Sequence, residues 1–205
     1  MRSLAIFGAG DHGKVVAEAA KLQGWTDITF FDDNSNDSSF HDFNYGGTFK
    51  ALLKNKKNFD GFHVAIGQNK YRKIFLEKLI ELDLKVVSII HPSSVISDTA
   101  KLESGVSILS GVIVGSYSKI KKGVILNSGC IIDHNSIIGQ YCHISPGSSI
   151  AGNVTIGELS WVGIGSSIIN NIQITSEVLI GAGSVVTEVI KTRGTYVGVP
   201  VKKIK

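Results

Sequence analysis

Leu126-Asn127-Ser128-Gly129-Cys130-Ile131, Ile132-Asp133-His134-Asn135-Ser136-Ile137 and Ile138-Gly139-Gln140-Tyr141-Cys142-His143 are three consecutive hexads, and each opens on an aliphatic residue. Read outward, the same period runs without a slip from Ile90 to Val185, and all sixteen openers are Ile, Leu or Val. The fifth place of each hexad is Ser, Ala, Val or Cys, with Ile172 the one large exception. A strict six-residue period with an aliphatic opener marks a parallel β-helix, whose rungs bury their inner face only against their neighbours. Gly or Asn recurs at the fourth place, as at Gly111, Gly129, Asn135 and Gly147, where a tight corner demands positive φ.

The totals bound the rest. The chain has 205 residues, 43% hydrophobic and 19% charged, with a net charge of +4, which fits a globular protein with a real core. No apolar run is long enough to span a bilayer, and the N-terminus enters a strand with no signal-peptide pattern, so the expectation is a cytoplasmic protein without membrane insertion. Cys130 and Cys142 occupy the small fifth position and read as buried spacers rather than a disulfide or a nucleophile. The C-terminal basic cluster (Lys191, Arg193, Lys202, Lys203, Lys205) lacks the interleaved aromatics of a nucleic-acid surface, so no nucleic-acid partner is expected.

The first ninety residues carry a different pattern. Ser3 to Phe7 reads as a buried strand, followed by Gly8-Ala9-Gly10-Asp11-His12-Gly13 and a helix over Lys14 to Gln23. A second strand, Ile28 to Phe31, ends in Asp32-Asp33. Glycines let the backbone close on a phosphate at a helix N-terminus, and a carboxylate after the next strand accepts ribose hydroxyls. Further strands are predicted over Phe62 to Ile66 and Lys85 to Ile89, with a helix from Tyr71 to Asp83 between them and a polar loop over Asn34 to Asn44. This is one mononucleotide-binding half, so a single nucleotide is expected rather than a dinucleotide.

His134 stands third in its hexad, at a corner, and His143 ends the next. If three hexads close one triangular coil, nine residues are one and a half sides of it, so the two rings would point to different sides of one chain and share a site only across a subunit boundary. On the same condition Gly152, eighteen residues past His134, would stack one coil along and offer an unobstructed backbone N–H beside it. A general base next to a free amide donor suits acyl transfer. His41 and His63 read as structural or surface residues, and His91 marks the entry to the prism. No third prism histidine and no carboxylate cluster accompanies the pair, so no metal is expected.

Taken with Phe31-Asp32-Asp33, Ala65-Ile66-Gly67-Gln68-Asn69, Ala151-Gly152-Asn153-Val154 and Val197-Gly198-Val199-Pro200, the chain resembles the bacterial sugar acetyltransferases of the PglD/NeuD group, hexapeptide-repeat acyltransferases. The resemblance implies a Rossmann-like α/β half domain over 1–89, an all-β left-handed parallel β-helix over 90–190, and a tail, 191–205, near the CoA site. Three hexads would make one coil, so the prism has a little over five coils and is roughly 25 Å long at about 4.8 Å per strand. It further implies a homotrimer that transfers acetyl from acetyl-CoA to the 4-amino group of a UDP-linked 4-amino-4,6-dideoxy or 2,4-diamino-trideoxy sugar by direct attack. By position, His134 would be the general base. His143, Gly152, Ile164 and Ala182 would meet acetyl-CoA, and Gly10, Asp11, His12, Asp32, Asp33, Gly67 and Asn127 would hold the nucleotide-sugar. Where the family commonly has Glu or Asp after the base, this chain has Asn135, which orients the ring without a full charge. The alternatives are O-acetylation of a sialic or related nonulosonic acid, and a non-enzymatic trimeric module.

Overall fold

The computed structural model describes residues 2–34 and 43–205. His41 and most of the expected loop at 34–44 lie outside the described residues. The N-terminal unit is a four-stranded parallel sheet of β1 (Ser3–Phe7), β2 (Asp27–Phe31), β3 (Asn44–Tyr45) and β4 (Gly61–Val64), in the order β3-β2-β1-β4. Leu4, Ala5, Ile6 and Phe7 are all buried, as expected of a central strand covered on both faces. Helices α1 (Asp11–Leu22), α2 (Phe49–Lys54) and α3 (Asn69–Glu81) cover the sheet. Helix α1 begins three residues before the sequence-based start, because Gly10 serves as its N-cap and Asp11-His12-Gly13 form its first turn. Helix α2, which no sequence pattern announced, is capped by the Thr48 side chain.

One expected strand is corrected. Lys85 to Ile89 does not extend the N-terminal sheet. Phe62 N–H donates to Lys85 O and Val87 N–H to Phe62 O, and then Ile89 N–H donates to Val106 O. The backbone is claimed by the first prism rung after a single bridge between Phe62 and Val86, so Ile89–Ile90 belongs to the prism.

From there the chain winds as a three-faced prism. One face stacks Ile89–Ile90, Ser107–Ile108, Ile125–Leu126, His143–Ile144, Trp161–Val162 and Val178–Ile180. The second stacks Val95–Ile96 through Ile131–Ile132 to Val185–Val186, and the third Lys101–Leu102 through Gln173–Ile174. Registers such as Ile125↔His143↔Trp161↔Leu179 show the eighteen-residue coil directly. The hexad openers fill the interior with one continuous core from Ile108 to Val186, including Cys130 and Cys142, both fully buried. Buried serines at the fifth place bond between coils, as when Ser136 Oγ donates to Ala151 O and accepts from Val154 N–H. Residues 191–205 do not hang free: Gly194–Val197 pairs with Val178–Ile180 and turns back through Lys202–Lys203, closing the end of the prism.

Helix α3 lies along the corner that runs Gly105, Gly123, Tyr141, Leu159, Glu177, one residue per coil. A Cβ on Gly123 would come within 2.6 Å of Tyr141 and 2.8 Å of Leu76, so the corner is glycine where α3 presses on it. Tyr141, Leu159 and Glu177 take over further along in the same left-handed conformation. Lys70 and Lys73 of α3 pair with Glu177 and Glu158, and Glu77 with Lys122 and the Tyr141 hydroxyl.

Candidate active site

The glycine turn after β1 is shaped by close approach. A Cβ on Gly8, at φ +111°, would lie 2.7 Å from Ala65 O, and one on Gly13 would run into Gly8 O. Gly10 caps α1 with no side chain, which leaves the first N–H groups of the helix open beside the turn. Asp32 is used within the protein: Oδ2 accepts from Ala9 N–H at 2.8 Å and Oδ1 from Asn34 N–H at 2.8 Å. Among the described residues Asp33 accepts from Phe49 N–H, through Oδ1. Beside them opens a cavity of about 500 Å³ lined by Phe7, Asp32, Asp33, Ile66, Tyr71 and Phe75. Asp11 is exposed and pairs with Lys14.

His12, in the first turn of α1, faces the prism, its ring centroid 6.3 Å from that of His143. His143 is only 7% exposed. Its Nε2 meets the Asn127 amide nitrogen at 3.2 Å, and its ring stacks on Trp161 at 4.7 Å. Trp161 is itself fixed by donation to Ser145 Oγ, and the Asn127 amide by accepting from Ser128 N–H. Burial pushes His12 down to about 4 and His143 down to about 3, with the Arg72 guanidinium the next cause in each and the Gly67 backbone opposing it at His143. Both rings are neutral at pH 7. His63 is a core histidine, bonded to Val87 O at 2.9 Å and Ser107 Oγ at 2.8 Å.

His134 sits on the next corner of the prism, exposed. Its own N–H donates to Asp133 Oδ1 at 2.7 Å, and its carbonyl accepts from Asn153 N–H one coil on. Asn135, at φ 56°, makes the corner, a conformation Asn tolerates, and its side-chain amide meets His134 Nδ1 at 3.0 Å. The ring lies against Gly152: a Cβ there would fall 2.5 Å from both Cε1 and Nε2.

The sequence-derived residues therefore fall into two groups within one chain. His12, Gly67, Asn127 and His143 meet at the seam between the N-terminal unit and the prism, with Gly10, Asp11, Asp32 and Asp33 on its N-terminal side around the glycine turn and its cavity. His134, Asn135 and Gly152 occupy the neighbouring corner. Ile164 and Ala182 follow the Asn127 corner further along, in successive coils, both exposed; Gly183 N–H donates to Ile164 O. Sequence reading missed Trp161, Asn69 and Arg72 at the seam. The one signal for Arg72 was its place on the stripe of Leu76 and Leu79, where a charged residue has no ordinary business.

The chain is similar to known proteins along its whole length. Residues 3–79 match the model of the PglD N-terminal domain. The acetyltransferase domain of PglB from Neisseria gonorrhoeae is 36% identical with a TM-score of 0.94, and the match covers 100% of both chains. The chain belongs to the PglB–PerB family of sugar acetyltransferases. The same PglB domain has been seen with acetyl coenzyme A. PerB from Caulobacter crescentus, seen with CoA and GDP-perosamine, is 31% identical at a TM-score of 0.94 over 100% of this chain and 98% of its own. Two histidine-substituted PerB variants have been seen with the same pair of ligands. These family members share the N-terminal Rossmann-like unit and the left-handed β-helix. The UDP-N-acetylbacillosamine N-acetyltransferase of Bacillus subtilis is 32% identical over 113 residues, and that match spans about half the relative's length, 52%. Among the described residues no three His, Cys, Asp or Glu side chains gather as metal ligands.

Proposed function

We propose that the protein is an acetyl-CoA-dependent N-acetyltransferase acting on the amino group of a nucleotide-linked 4-amino sugar, a UDP-linked one first among them. The observation that carries this reading is the corner itself: an exposed imidazole that meets Asn135 through Nδ1 and lies against Gly152, where a side chain would displace it. The match to PerB, seen with GDP-perosamine, and to the UDP-N-acetylbacillosamine N-acetyltransferase supports the substrate class.

In this mechanism the nucleotide-sugar lies with its diphosphate at the α1 N-terminus and its ribose near the Asp33 carboxylate. Asn127 borders the sugar. His134 Nε2 removes a proton as the sugar amine attacks the thioester, and the Gly152 N–H donates to the carbonyl oxygen as it gains charge. CoA leaves as thiol, with no acyl-enzyme, since burial holds both cysteines near 12 as thiols. Nε2 is free to act only when the Asn135 amide turns its oxygen to Nδ1–H; with the amide nitrogen donating, the proton would sit on Nε2. Because His134 and Asn127 stand on different corners, the centre is completed between chains of a homotrimer. Ile164 and Ala182 line the pantetheine path along the Asn127 corner.

Incubation with acetyl-CoA and UDP-2-acetamido-4-amino-2,4,6-trideoxyglucose tests the reading through thiol release. Release dependent on the sugar and lost in His134→Ala is expected. Silence with UDP-, dTDP- and GDP-linked 4-amino sugars alike contradicts it.

A further inference from the structure

Arg72 is 1% exposed, yet it carries a full charge at the junction of the two units. Nη1 donates to Ile66 O at 2.8 Å and Gly67 O at 2.9 Å. Nε donates to Gly123 O at 2.6 Å, and Nη2 to Tyr141 O at 2.7 Å, Cys142 O at 3.1 Å and Asn69 Oδ1 at 2.8 Å. Asn69 extends the grip one coil further by donating to Leu159 O and Ser160 O. All six acceptors are neutral oxygens; no carboxylate is among them. Burial draws the guanidinium down to about 9, which still leaves it protonated at neutral pH. A buried cation without an ionic partner is expensive as a mere fastening, and an apolar contact would hold two units together as well.

What the fork joins gives the cost a purpose. Ile66 lines the nucleotide cavity, and the Gly67 backbone faces His143. Cys142 immediately precedes His143, which holds Asn127. We propose that Arg72 is a positioning residue for the reaction described above: it sets the Ile66–Gly67 wall of the nucleotide cleft in register with the prism coil that presents Asn127. Its charge, met only by neutral groups, adds a standing attraction for the diphosphate of a ligand in that cleft. The inference rests on the acetyltransferase reading.

Titration calorimetry with UDP, dTDP and GDP, followed by steady-state kinetics, tests it. Arg72→Lys keeps the charge but cannot make the fork. Binding of the preferred nucleoside diphosphate is expected to weaken by about tenfold or more, with the KM for acetyl-CoA within about threefold of wild type. Arg72→Met, which also drops the charge, weakens binding further. Tyr141→Phe loosens the same seam through Glu77 without touching the loop, and leaves both constants unchanged. Should Arg72→Lys fail to fold, Asn69→Ala removes one acceptor with Arg72 in place and is expected to weaken the same ligand by about threefold. A folded Lys or Asn69 variant that binds within about 1.5-fold of wild type overturns the positioning role alone. A wild-type protein that binds none of the three nucleotides overturns the nucleotide reading as well.

Discussion

At the scale of single residues, the environment of His134 is set by its neighbours' lack of bulk. Gly152 has ordinary backbone dihedrals, so alanine is acceptable there as backbone, but its Cβ would push the imidazole off its position. Gly152→Ala is therefore expected to fold normally and to lose about a hundredfold or more in kcat, the share of a general base; a variant with full activity would show that the ring need not lie there. Asn135→Asp supplies the charge that the amide lacks. The acidic limb of its pH–rate profile is expected to move to higher pH, and a limb that stays put removes Asn135 from the account. His134 and Gly152 were legible in the sequence because eighteen-residue stacking is arithmetic. The surroundings of His143 were not. Its hexad position says that it points outward, but whether outward means solvent or the underside of another domain depends on where α3 and the glycine turn pack. The structure places it under Asn127, Trp161 and Gly67, neutral and almost wholly buried.

Elements follow the hexads closely because every rung has the same task. The prism openers point inward without exception among the inner coils, and from Gly105 onward the fourth-place residues turn the corners at positive φ. Two corners at matched φ separate conformational need from packing need. Gly129, at φ +67°, has open space where a Cβ would go, whereas Gly123, at φ +63°, would meet Tyr141 and Leu76. Gly129→Ala should cost only the left-handed strain, about 1 kcal/mol. Gly123→Ala adds overpacking of about 1–3 kcal/mol, so its unfolding midpoint in denaturant should be clearly lower. Equal midpoints would mean that α3 does not press on this corner. The junction was less readable. Lys85 to Ile89 has the composition of a strand, and a strand pattern does not say which of two sheets will take it; the choice is made by hydrogen bonds to Phe62 and then Val106. The short helix α2 lacked periodicity for a different reason: six residues are too few to display it.

For the whole molecule, burial of neutral histidines links stability to pH. His12 and His63 lie near 4 and His143 near 3, all below the ordinary 6.5. Above 6.5 neither state binds these protons and the contribution to stability is fully present. As pH falls below 6.5 the unfolded chain takes up protons that the folded chain refuses, so stability drops until the folded pKa values are reached. The midpoint of thermal unfolding should fall steadily from pH 6.5 to 4; a flat midpoint over that window would show that these rings are open to solvent. On the second prism face Val95, Ile113 and Ile131 stand one above another, 65%, 43% and 38% exposed, an apolar ladder suited to a neighbouring chain. Such contact is what the two-corner site requires, and mixing subunits tests that requirement directly. His134→Ala and Asn127→Ala, each inactive alone in acetyl transfer to the 4-amino sugar nucleotide, are co-expressed with different tags and isolated as mixed assemblies. If the base comes from one chain and the sugar-side amide from the next, each mixed trimer has one site in three with both residues intact, and activity returns to about a third of wild type. Mixed assemblies that stay as silent as their parents, beside an active wild type, would contradict a centre shared between chains.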